Sequence, residues 1–356
     1  MSDSPEDLQQ RIVRELMRPS VQLFLLFVLW CAWFFSRQAG HDRPGPLVVY
    51  CSHDAVFSEA ILRDFEKRTG IPVSLRFDTE ATKSLGLTEL LIREKDAPRC
   101  DVFWNNELLG MMDLQQRGLL LPYQGPGYAR IPAQYKAADG SWTGFAARLR
   151  VTISNTNKIG SASPNLSESL PAGEYPKVAI AKPLYGTTLT HYSVLWKTWG
   201  RDKLIAWHHE WRDGGVKECN GNGGVKDAVA EGVCNAGFTD TDDFFEAKDE
   251  GKPVAMHPVR LDDGKTIVIP NTVAIIRGTR RLEAARQLVD FLLSAETELA
   301  LARSKARQVP LGPVPADHLP ADVRDLAEWA KDGVDLISVA AARAECLAWL
   351  KSEYLP

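Results

Sequence analysis

The sequence has few cysteines and no blocks of like charge, and both shortages narrow the classes of protein it can belong to. Its six cysteines show no C-x-x-C spacing and no nearby histidine pattern, so neither a zinc site nor a disulfide-stabilised scaffold is indicated. The 42 basic and 46 acidic residues are interspersed and give a formal net charge of −4, which argues against a nucleic-acid partner. At 356 residues, the chain is long enough for two lobes with separate cores.

Charged residues are also missing from residues 19–36, an apolar segment near the N-terminus. As a helix this segment would span about 27 Å, close to the roughly 30 Å hydrocarbon thickness of a bilayer. A cleaved signal peptide needs small residues at its cut site, and a lipoprotein needs a small residue before its cysteine, whereas Trp30 precedes Cys31. We therefore expect an uncleaved single-pass transmembrane anchor rather than a buried helix of the folded domain.

The anchor sets the expected location of the rest of the chain. Residues 1–18 form a short tail, expected in the cytoplasm, and residues 37–45 form a linker that contains Arg and Pro. A tail of this length carries no domain of its own. The main domain is therefore expected on the periplasmic or extracellular side of the cytoplasmic membrane, although the flanking arginines differ little in number.

From residue 46 the chain alternates short apolar runs with amphipathic helical patterns. PLVVY (46–50) predicts a strand, and AVFSEAILRDFEKRTG (55–70) predicts a helix that ends at Gly70. Strands that alternate with helices favour parallel pairing, with ligands bound beyond the carboxyl ends of the strands. Three polar segments, CSHD, FDTEAT and WNNE, follow strands, so we expect them at one edge of a sheet.

Two long apolar segments, 144–156 and 266–278, separate this α/β region from a second one. There, KPLYGTT follows a strand at 177–181, and a strand at 234–240 ends in FTD. Two crossings between two lobes form a hinge about which a cleft closes on a ligand. The predicted bounds are 46–150 and 272–312 for lobe 1, 151–271 for lobe 2, and 313–356 for a C-terminal extension of two helices.

The segments VVYCSHDAVFSEAILRDFEKRTGIPV, DVFWNNE, KPLYGTT, GFTDTDD and IPNTVAII resemble, in this order, extracellular solute-binding proteins of ABC importers, in the branch called ferric-iron-binding. The resemblance covers about residues 46–312. It implies an α/β, two-lobed periplasmic-binding-protein type II fold and a binding rather than a catalytic role. It also implies export across the inner membrane and delivery of the ligand to an ABC permease and its ATPase.

The resemblance also implies which turns face the ligand. By position in this sequence, the implied ligand-binding residues are Ser52, His53, Asp54, Thr79, Glu80, Thr82, Asn105, Asn106, Asn155, Tyr185, Thr187, Thr188, Asp240 and Asp242. Asn155 and Asn271 would lie beside the two hinge crossings.

Ferric iron or an iron complex is the first expectation for the transported ligand, and no resident cofactor is expected. Many ferric-binding relatives use an adjacent tyrosine pair, but this sequence contains no Tyr-Tyr. Because Fe(3+) favours oxygen ligands, the metal-ligand candidates are Asp54, Glu80, Tyr185 and Asp240, with His53 in an assisting role. The backbone N–H groups after Asp54 and Thr187 leave a small organic anion, a carboxylate or phosphonate, as the alternative.

The acidic cluster Asp240, Asp242 and Asp243 has a second explanation, because acids also favour the first turn of a helix. Both roles stay open, and Asp243 is the weakest candidate for a ligand contact. A ligand role and a capping role are compatible, since an acid at a strand tip also faces the cleft.

Two other clusters suggest chemistry that we consider less favoured. His208, His209 and Glu210 are consecutive, and neighbours on a helix point about 100° apart, which favours surface or half-buried roles over a metal site. Cys51 near His53 suggests a nucleophilic enzyme, but no orienting partner or oxyanion site is evident. An extracytoplasmic ligand sensor is the other functional alternative, and the short N-terminal tail argues against it.

Overall fold

A computed structural model describes residues 45–78, 85–159 and 173–355. These residues belong to one compact unit, Pro44–Pro356. The predicted anchor at 19–36 and the tail before it lie outside the described residues. Within the described part of the chain, no helix is both long enough and apolar enough to cross a bilayer.

The first part of the sheet is built from three parallel strands, as the alternation of strands and helices predicts. Strand β1 pairs with β2 on one side and β3 on the other. The strands are β1 (Leu47–Cys51), β2 (Val73–Phe77) and β3 (Val102–Asn105). The helices are α1 (Ala55–Thr69), α2 (Leu85–Arg93) and α3 (Leu109–Gln116). Helix α1 ends at Gly70, whose φ of 71° is the left-handed cap expected from the sequence.

Short elements then lead to the long strand that joins the two parts of the sheet. They are β4 (Leu120–Leu121), α4 (Pro126–Arg130) and a 3₁₀ turn at Ala133–Tyr135. Strand β5 (Thr143–Asn155) follows, and all 13 of its residues are buried. The first predicted crossing, 144–156, is thus a strand. It is followed by α5 (Thr156–Ile159).

The second part of the sheet repeats the parallel arrangement. Strand β6 pairs in parallel with β7 and β8, while β5 pairs antiparallel with β8 and β9. A 3₁₀ turn, Tyr175–Lys177, precedes β6. The strands are β6 (Val178–Ala181), β7 (Lys217–Cys219), β8 (Ala236–Asp240) and β9 (Val254–Pro258). The helices are α6 (Gly186–Trp199), α7 (Arg201–Asp213), α8 (Asn222–Ala230) and α9 (Thr241–Asp249).

The second crossing is β10 (Val268–Ile276), which pairs antiparallel with both β3 and β5. We call the part built on β1–β3 and β10 lobe 1, and the part built on β6–β9 lobe 2; β5 runs through both. The crossings therefore pair antiparallel, unlike the three-strand groups on either side. Helices α10 (Leu282–Leu292) and α11 (Ala295–Arg303) follow.

The backbone is irregular where β5 and β10 pair, and Asn271 lies at this irregularity. Ala146 has a φ of 41°, and the register of β5 and β10 shifts between Pro270 and Asn271. The Asn271 side chain donates to the Ala146 carbonyl and to Gln308 Oε1 (2.8 Å), and it accepts from Trp104 Nε1 (3.2 Å). Asn271 therefore holds the irregular crossing together, which agrees with its predicted place beside a hinge.

The C-terminal part of the chain contains two helices, α12 (Ala321–Ala330) and α13 (Ala340–Tyr354), with 3₁₀ turns at Ala316–His318 and Ile337–Val339. Helix α13 packs mainly against α6 of lobe 2 and also contacts α3 of lobe 1. Beneath α13 lies a buried aromatic cluster, formed by Tyr192, Trp196, Trp207 and Trp211. The extension is thus part of the packed domain and reaches both lobes.

Candidate functional site

A small cavity lies between the lobes, at the carboxyl ends of the strands. Its residues from lobe 1 and β5 are Asp54, Asn106 and Arg148. Its residues from lobe 2 are Ala181, Lys182, Tyr185, Gly186, Thr187, Thr188, Asn220, Gly221, Asn222, Asp240, Asp242 and Asp243. The space inside is about 20 Å³, roughly the room that one water molecule needs. A larger solute therefore requires the lobes to separate or a lining side chain to move.

Local geometry brings several helix starts to this cavity. Strand β6 leads through Tyr185 into α6, and Gly186, at a φ of 52°, makes the turn that a residue with a side chain would resist. Gly221 precedes α8, and neither Tyr185 nor Gly221 caps its helix with a side-chain hydrogen bond. The first N–H groups of a helix carry partial positive charge. The lobe 2 wall of the cavity therefore offers backbone donors.

Arg150 and Asp240 form a buried ion pair at the base of this wall. Arg150 is 0% exposed, and its Nη1 lies 2.8 Å from Asp240 Oδ1. The same nitrogen donates to Asn222 Oδ1 at 3.0 Å and to Thr187 Oγ1 at 3.3 Å. Asp240 Oδ2 accepts from Thr187 Oγ1 at 2.6 Å and from Asn222 Nδ2 at 2.9 Å. The pair is thus tied to the starts of both α6 and α8.

These contacts keep Asp240 ionised. Burial alone would raise the pKa of its carboxyl, but the charges of Arg150 and Arg148 and the hydrogen bond from Thr187 outweigh burial and hold the pKa below its usual range. Asp240 precedes α9 without capping it through its side chain. The capping role through its side chain is therefore not seen, and its role in ligand contact stays a prediction.

Arg148 connects the two lobes across the cavity. Its Nη2 donates to the backbone carbonyl of Asn106 in lobe 1 at 2.6 Å. Its Nε lies 3.3 Å from Asp240 Oδ2 and 3.8 Å from Asp242 Oδ2 in lobe 2. Burial would lower the pKa of this guanidinium, but the carboxylates of Asp242, Asp240 and Asp54 raise it above its usual value. Arg148 is therefore a permanent positive charge in the cleft.

Arg148 is also incompletely satisfied. Its side chain is 3% exposed, and no described residue accepts a hydrogen bond from its Nη1. Asn106, which lines the cavity from lobe 1, has a buried Oδ1 that likewise has no partner among the described residues. Each buried polar atom of this kind calls for an explanation. Arg148 and Asn106 both line the cavity, whereas Arg150, whose Nε and Nη2 also lack a partner among the described residues, does not.

The acidic cluster on α9 offers oxygen atoms for a cation. Carboxylate oxygens of Asp240, Asp242 and Asp243 all lie within 4.8 Å of one another, a spacing that could hold a metal ion. However, the Arg148 guanidinium lies against two of these carboxylates. A cation there would have to compete with that positive charge.

The structure brings half of the predicted ligand-binding residues to the cavity. Those that line it are Asp54, Asn106, Tyr185, Thr187, Thr188, Asp240 and Asp242. Of the predicted metal-ligand candidates, Asp54, Tyr185 and Asp240 are among them. Thr79, Glu80 and Thr82 lie outside the described residues.

Four other predicted residues are described but do not line the cavity, because each is used elsewhere in the structure. Ser52 donates to Asp78 Oδ2 at 3.5 Å. His53 is buried against Trp104, with its Nε2 2.7 Å from Gln308 Nε2. Asn105 donates to Glu107 Oε1 at 3.2 Å. The side chains of these three residues form hydrogen bonds that hold the lobe 1 turns in place and do not line the cavity.

Asn155 is the clearest departure from the expected ligand contacts. It ends β5 on the lobe 2 side, where its amide donates to the Val229 carbonyl at 2.8 Å and its Oδ1 accepts from the Asn157 backbone at 3.0 Å. The residue therefore fixes the local turn and the end of α8. Both ends of its side chain are bound away from the cavity, so its implied role in ligand contact gains no support here and stays a prediction.

The sequence reasoning missed Arg148, Arg150, Lys182 and Asn222. The two arginines lie within a segment treated only as an apolar crossing. Because residues two apart in a strand share one face, a pair of arginines in a buried strand was the available signal. Such a pair needs an acidic partner, and Asp240 contacts both arginines.

The side chains of His208, His209 and Glu210 have separate partners, and His208 is buried rather than at the surface or half-buried as expected. His208 is buried, with Nδ1 3.0 Å from Tyr192 Oη. His209 is exposed and pairs with Glu353 at 3.2 Å, while Glu210 accepts from Tyr175 Oη at 2.5 Å. The five described cysteines form no disulfide and are buried.

The family model described as "Bacterial extracellular solute-binding protein" matches residues 47–304. The chain belongs to this family. It is 26% identical over 204 residues to the Fe(3+)-binding periplasmic protein of Serratia marcescens, an alignment that covers 57% of this chain and 59% of that protein. The family is one of solute-binding transport proteins, as the resemblance in the sequence implied.

Solved structures support the two-lobed α/β fold. Iron-bound HitA from Pseudomonas aeruginosa aligns with a TM-score of 0.78 at 21% identity and covers 88% of this chain and 100% of its own. AfuA from Actinobacillus pleuropneumoniae, with fructose-6-phosphate bound, aligns with a TM-score of 0.68 at 19% identity over 87% of this chain and 99% of its own. At these identities the likeness concerns the fold.

Proposed function

We propose that this protein captures a small solute between its two lobes and presents it to the permease and ATPase of an ABC importer. The observation that supports this most directly is the cavity, which is lined from both lobes. Arg148 already bridges them, from the Asn106 carbonyl to Asp240. A ligand that contacts both walls favours the closed arrangement, because those contacts exist together only when the lobes meet.

The predicted organisation completes this proposal. Lobe 1 would comprise residues 46–150 and 272–312, lobe 2 residues 151–271, and the extension residues 313–356. Residues 19–36 would anchor the chain in the cytoplasmic membrane, with the binding domain on the periplasmic side. The names of the relatives support this location, since the Serratia marcescens protein is described as periplasmic.

Two classes of cargo have support. Ferric iron or an iron complex is supported by the name of the Serratia marcescens relative, by the iron bound to HitA and by the three clustered carboxylates. A small anion is supported by Arg148 and by the helix starts in the lobe 2 wall. The fructose-6-phosphate bound to AfuA shows that this fold can hold an anion.

X-ray scattering of the full chain tests the capture mechanism. Ferric citrate, inorganic phosphate and glycerol 3-phosphate would be added separately, with binding measured by calorimetry under the same conditions. We expect the radius of gyration to fall with any probe that binds. A probe that saturates the protein without changing the scattering profile would contradict lobe closure.

A further inference from the structure

We infer that the cargo carries a phosphoryl oxyanion, a phosphate ester or a phosphonate, which Arg148 and the starts of α6 and α8 hold together. This inference rests on the proposed function, because it concerns the same cavity. It narrows the two classes of cargo to one. The observation behind it is the buried Arg148 Nη1, for which no described residue supplies an acceptor.

The contacts of Arg148 leave part of its guanidinium open to a ligand. Its shortest contact, 2.6 Å, is with the uncharged backbone carbonyl of Asn106. Its contacts with Asp240 and Asp242 are longer, 3.3 and 3.8 Å, and both involve Nε. Asp240 is already paired with Arg150 at 2.8 Å. A guanidinium binds phosphoryl oxygens through paired N–H donors, so Arg148 can take an oxyanion without leaving Asp240 unpaired.

The backbone provides a second set of donors in the lobe 2 wall of the cavity. Helices α6 and α8 contain 14 and 9 residues, and both begin at the cavity without a side-chain cap. No described residue accepts a backbone hydrogen bond from Thr187, Thr188 or Asn222. Helix N-termini and a guanidinium all present N–H donors and positive charge. Together they favour binding of an oxyanion over binding of a bare cation.

The positive charge of Arg148 disfavours an iron ion that only Asp240, Asp242 and Asp243 would hold. A ferric ion bound by Asp240 and Asp242 would lie close to the Arg148 guanidinium, and like charges at such short distance repel strongly in a buried site. An oxyanion at Arg148 Nη1 would meet a donor that lacks a partner among the described residues, and it must outweigh repulsion from Asp54 and Asp242, which lie near the same guanidinium. It adds negative charge where positive charge lacks a hydrogen-bond acceptor.

The test compares affinities of the full chain and its variants for glycerol 3-phosphate, methylphosphonate, ferric citrate and citrate alone. Arg148→Gln should weaken binding of both phosphoryl probes by about 10- to 100-fold, the usual effect of removing charge-assisted hydrogen bonds. Arg324→Gln, which changes an exposed arginine of α12, is the matched control and should have no effect.

A second variant keeps the test informative if Arg148→Gln fails to fold. A side chain added at Gly223 would have no atom within 4 Å. Gly223→Asp places a carboxylate in the first turn of α8, where it favours the helix but repels an oxyanion. We expect weaker phosphoryl binding with undiminished stability, whereas Gly223→Asn should bind like the wild type.

The outcomes separate this inference from the proposed function. If ferric citrate binds and compacts the wild type and Arg148→Gln equally, while the phosphoryl probes do not bind, the inference is wrong and the proposed function stands. It is also wrong if phosphoryl binding is unaffected by both Arg148→Gln and Gly223→Asp, or if citrate binds through Arg148 and the phosphoryl probes do not. Phosphoryl binding without compaction would instead contradict capture by closure.

Discussion

The cavity wall and the aromatic cluster beneath α13 are both buried, but different forces hold them. In the wall, Arg150 and Asp240 neutralise each other, and Thr187 and Asn222 form hydrogen bonds with both. In the cluster, rings pack on rings, with Trp207 and Trp211 4.5 Å apart between centroids and Trp196 and Trp349 5.6 Å apart. Burying apolar rings stabilises a fold directly. A buried ion pair adds little net stability, yet breaking it costs much.

This difference assigns separate roles to the two regions. The cluster fixes α13 and lobe 2 as one packed body. The charged wall keeps donors and acceptors at defined positions in the cleft, where a solute can exchange contacts with them. The comparison can be tested by breaking each region in turn.

The largest effect is expected when the buried pair loses its acid. Asp240→Asn leaves Arg150 buried without a counter-charge, so the free energy of unfolding should fall by about 3 to 5 kcal/mol. Urea unfolding followed by tryptophan fluorescence measures this. Asp262→Asn, at an exposed position, is the control. A loss below about 1 kcal/mol would show that the pair matters less than buried charges usually do.

Replacing both partners sharpens the same point. Arg150→Met combined with Asp240→Leu removes both charges at once, and the free energy of unfolding should recover most of the loss. A double variant as unstable as Asp240→Asn would mean that Arg148, which also contacts Asp240, or the hydrogen bonds of Thr187 and Asn222 depend on this acid.

The second largest effect is expected where α13 packs on the aromatic cluster. Leu350 on α13 is 0% exposed, and Leu350→Ala should lower the free energy of unfolding by about 3 kcal/mol through lost burial and a cavity. Leu355→Ala, at a position 53% exposed, is the matched control with an expected change near zero. Equal effects of the two variants would mean that α13 is not packed as described.

A third effect depends on pH, because His208 packs beside the cluster. Burial, together with Arg212 and His209, lowers the His208 pKa from 6.5 to about 4, against the opposing charge of Glu353. Above pH 6.5 the ring is neutral in both folded and unfolded chains, and stability is fully present. As the pH falls from 6.5 to 4, the unfolded chain gains a proton that the folded chain does not, so stability is lost.

The loss attributable to His208 should be on the order of 2 kcal/mol. Urea unfolding of the wild type and His208→Gln at several pH values between 6.5 and 4 isolates it, because other titrating groups, among them His191, are common to both chains. The variant should lose less stability over this range. Parallel profiles would show that His208 has an ordinary pKa in the folded protein.

Much of the fold could be predicted because its signals are local. The apolar stripe of α1 and Gly70 at its end mark a helix within a single short stretch of sequence. The buried strand β5 was recognisable as one apolar run. Helix α7 and strand β9 were not assigned, although Leu204, Trp207 and Trp211 in α7 are spaced three and four residues apart, as on one face of a helix.

The site could be predicted only in part, since its contacts join distant residues. Arg150 and Asp240 lie 90 positions apart, so the sequence around either one does not show that they pair. The turns at 185–188 and 239–242 were located from the ends of predicted strands, and the family resemblance implied that they face the ligand. The orientation of their side chains, and the contacts that Asn155 makes away from the cavity, depend on tertiary structure.

The smallest effect is expected from an ion pair that resembles the buried one in chemistry but lies at the surface. Lys351 on α13 and Glu89 on α2 of lobe 1 are 3.4 Å apart, with side chains 43% and 45% exposed. Water and salt screen such a pair, so Lys351→Met should change the free energy of unfolding by less than about 1 kcal/mol. A double-mutant cycle with Glu89→Gln, measured in urea at low and high salt, gives the pair's own contribution. If the coupling free energy of this pair equals that of Arg150 with Asp240, burial does not determine the strength of the two pairs. In that case charge would attach α13 to lobe 1 as strongly as packing attaches it to lobe 2.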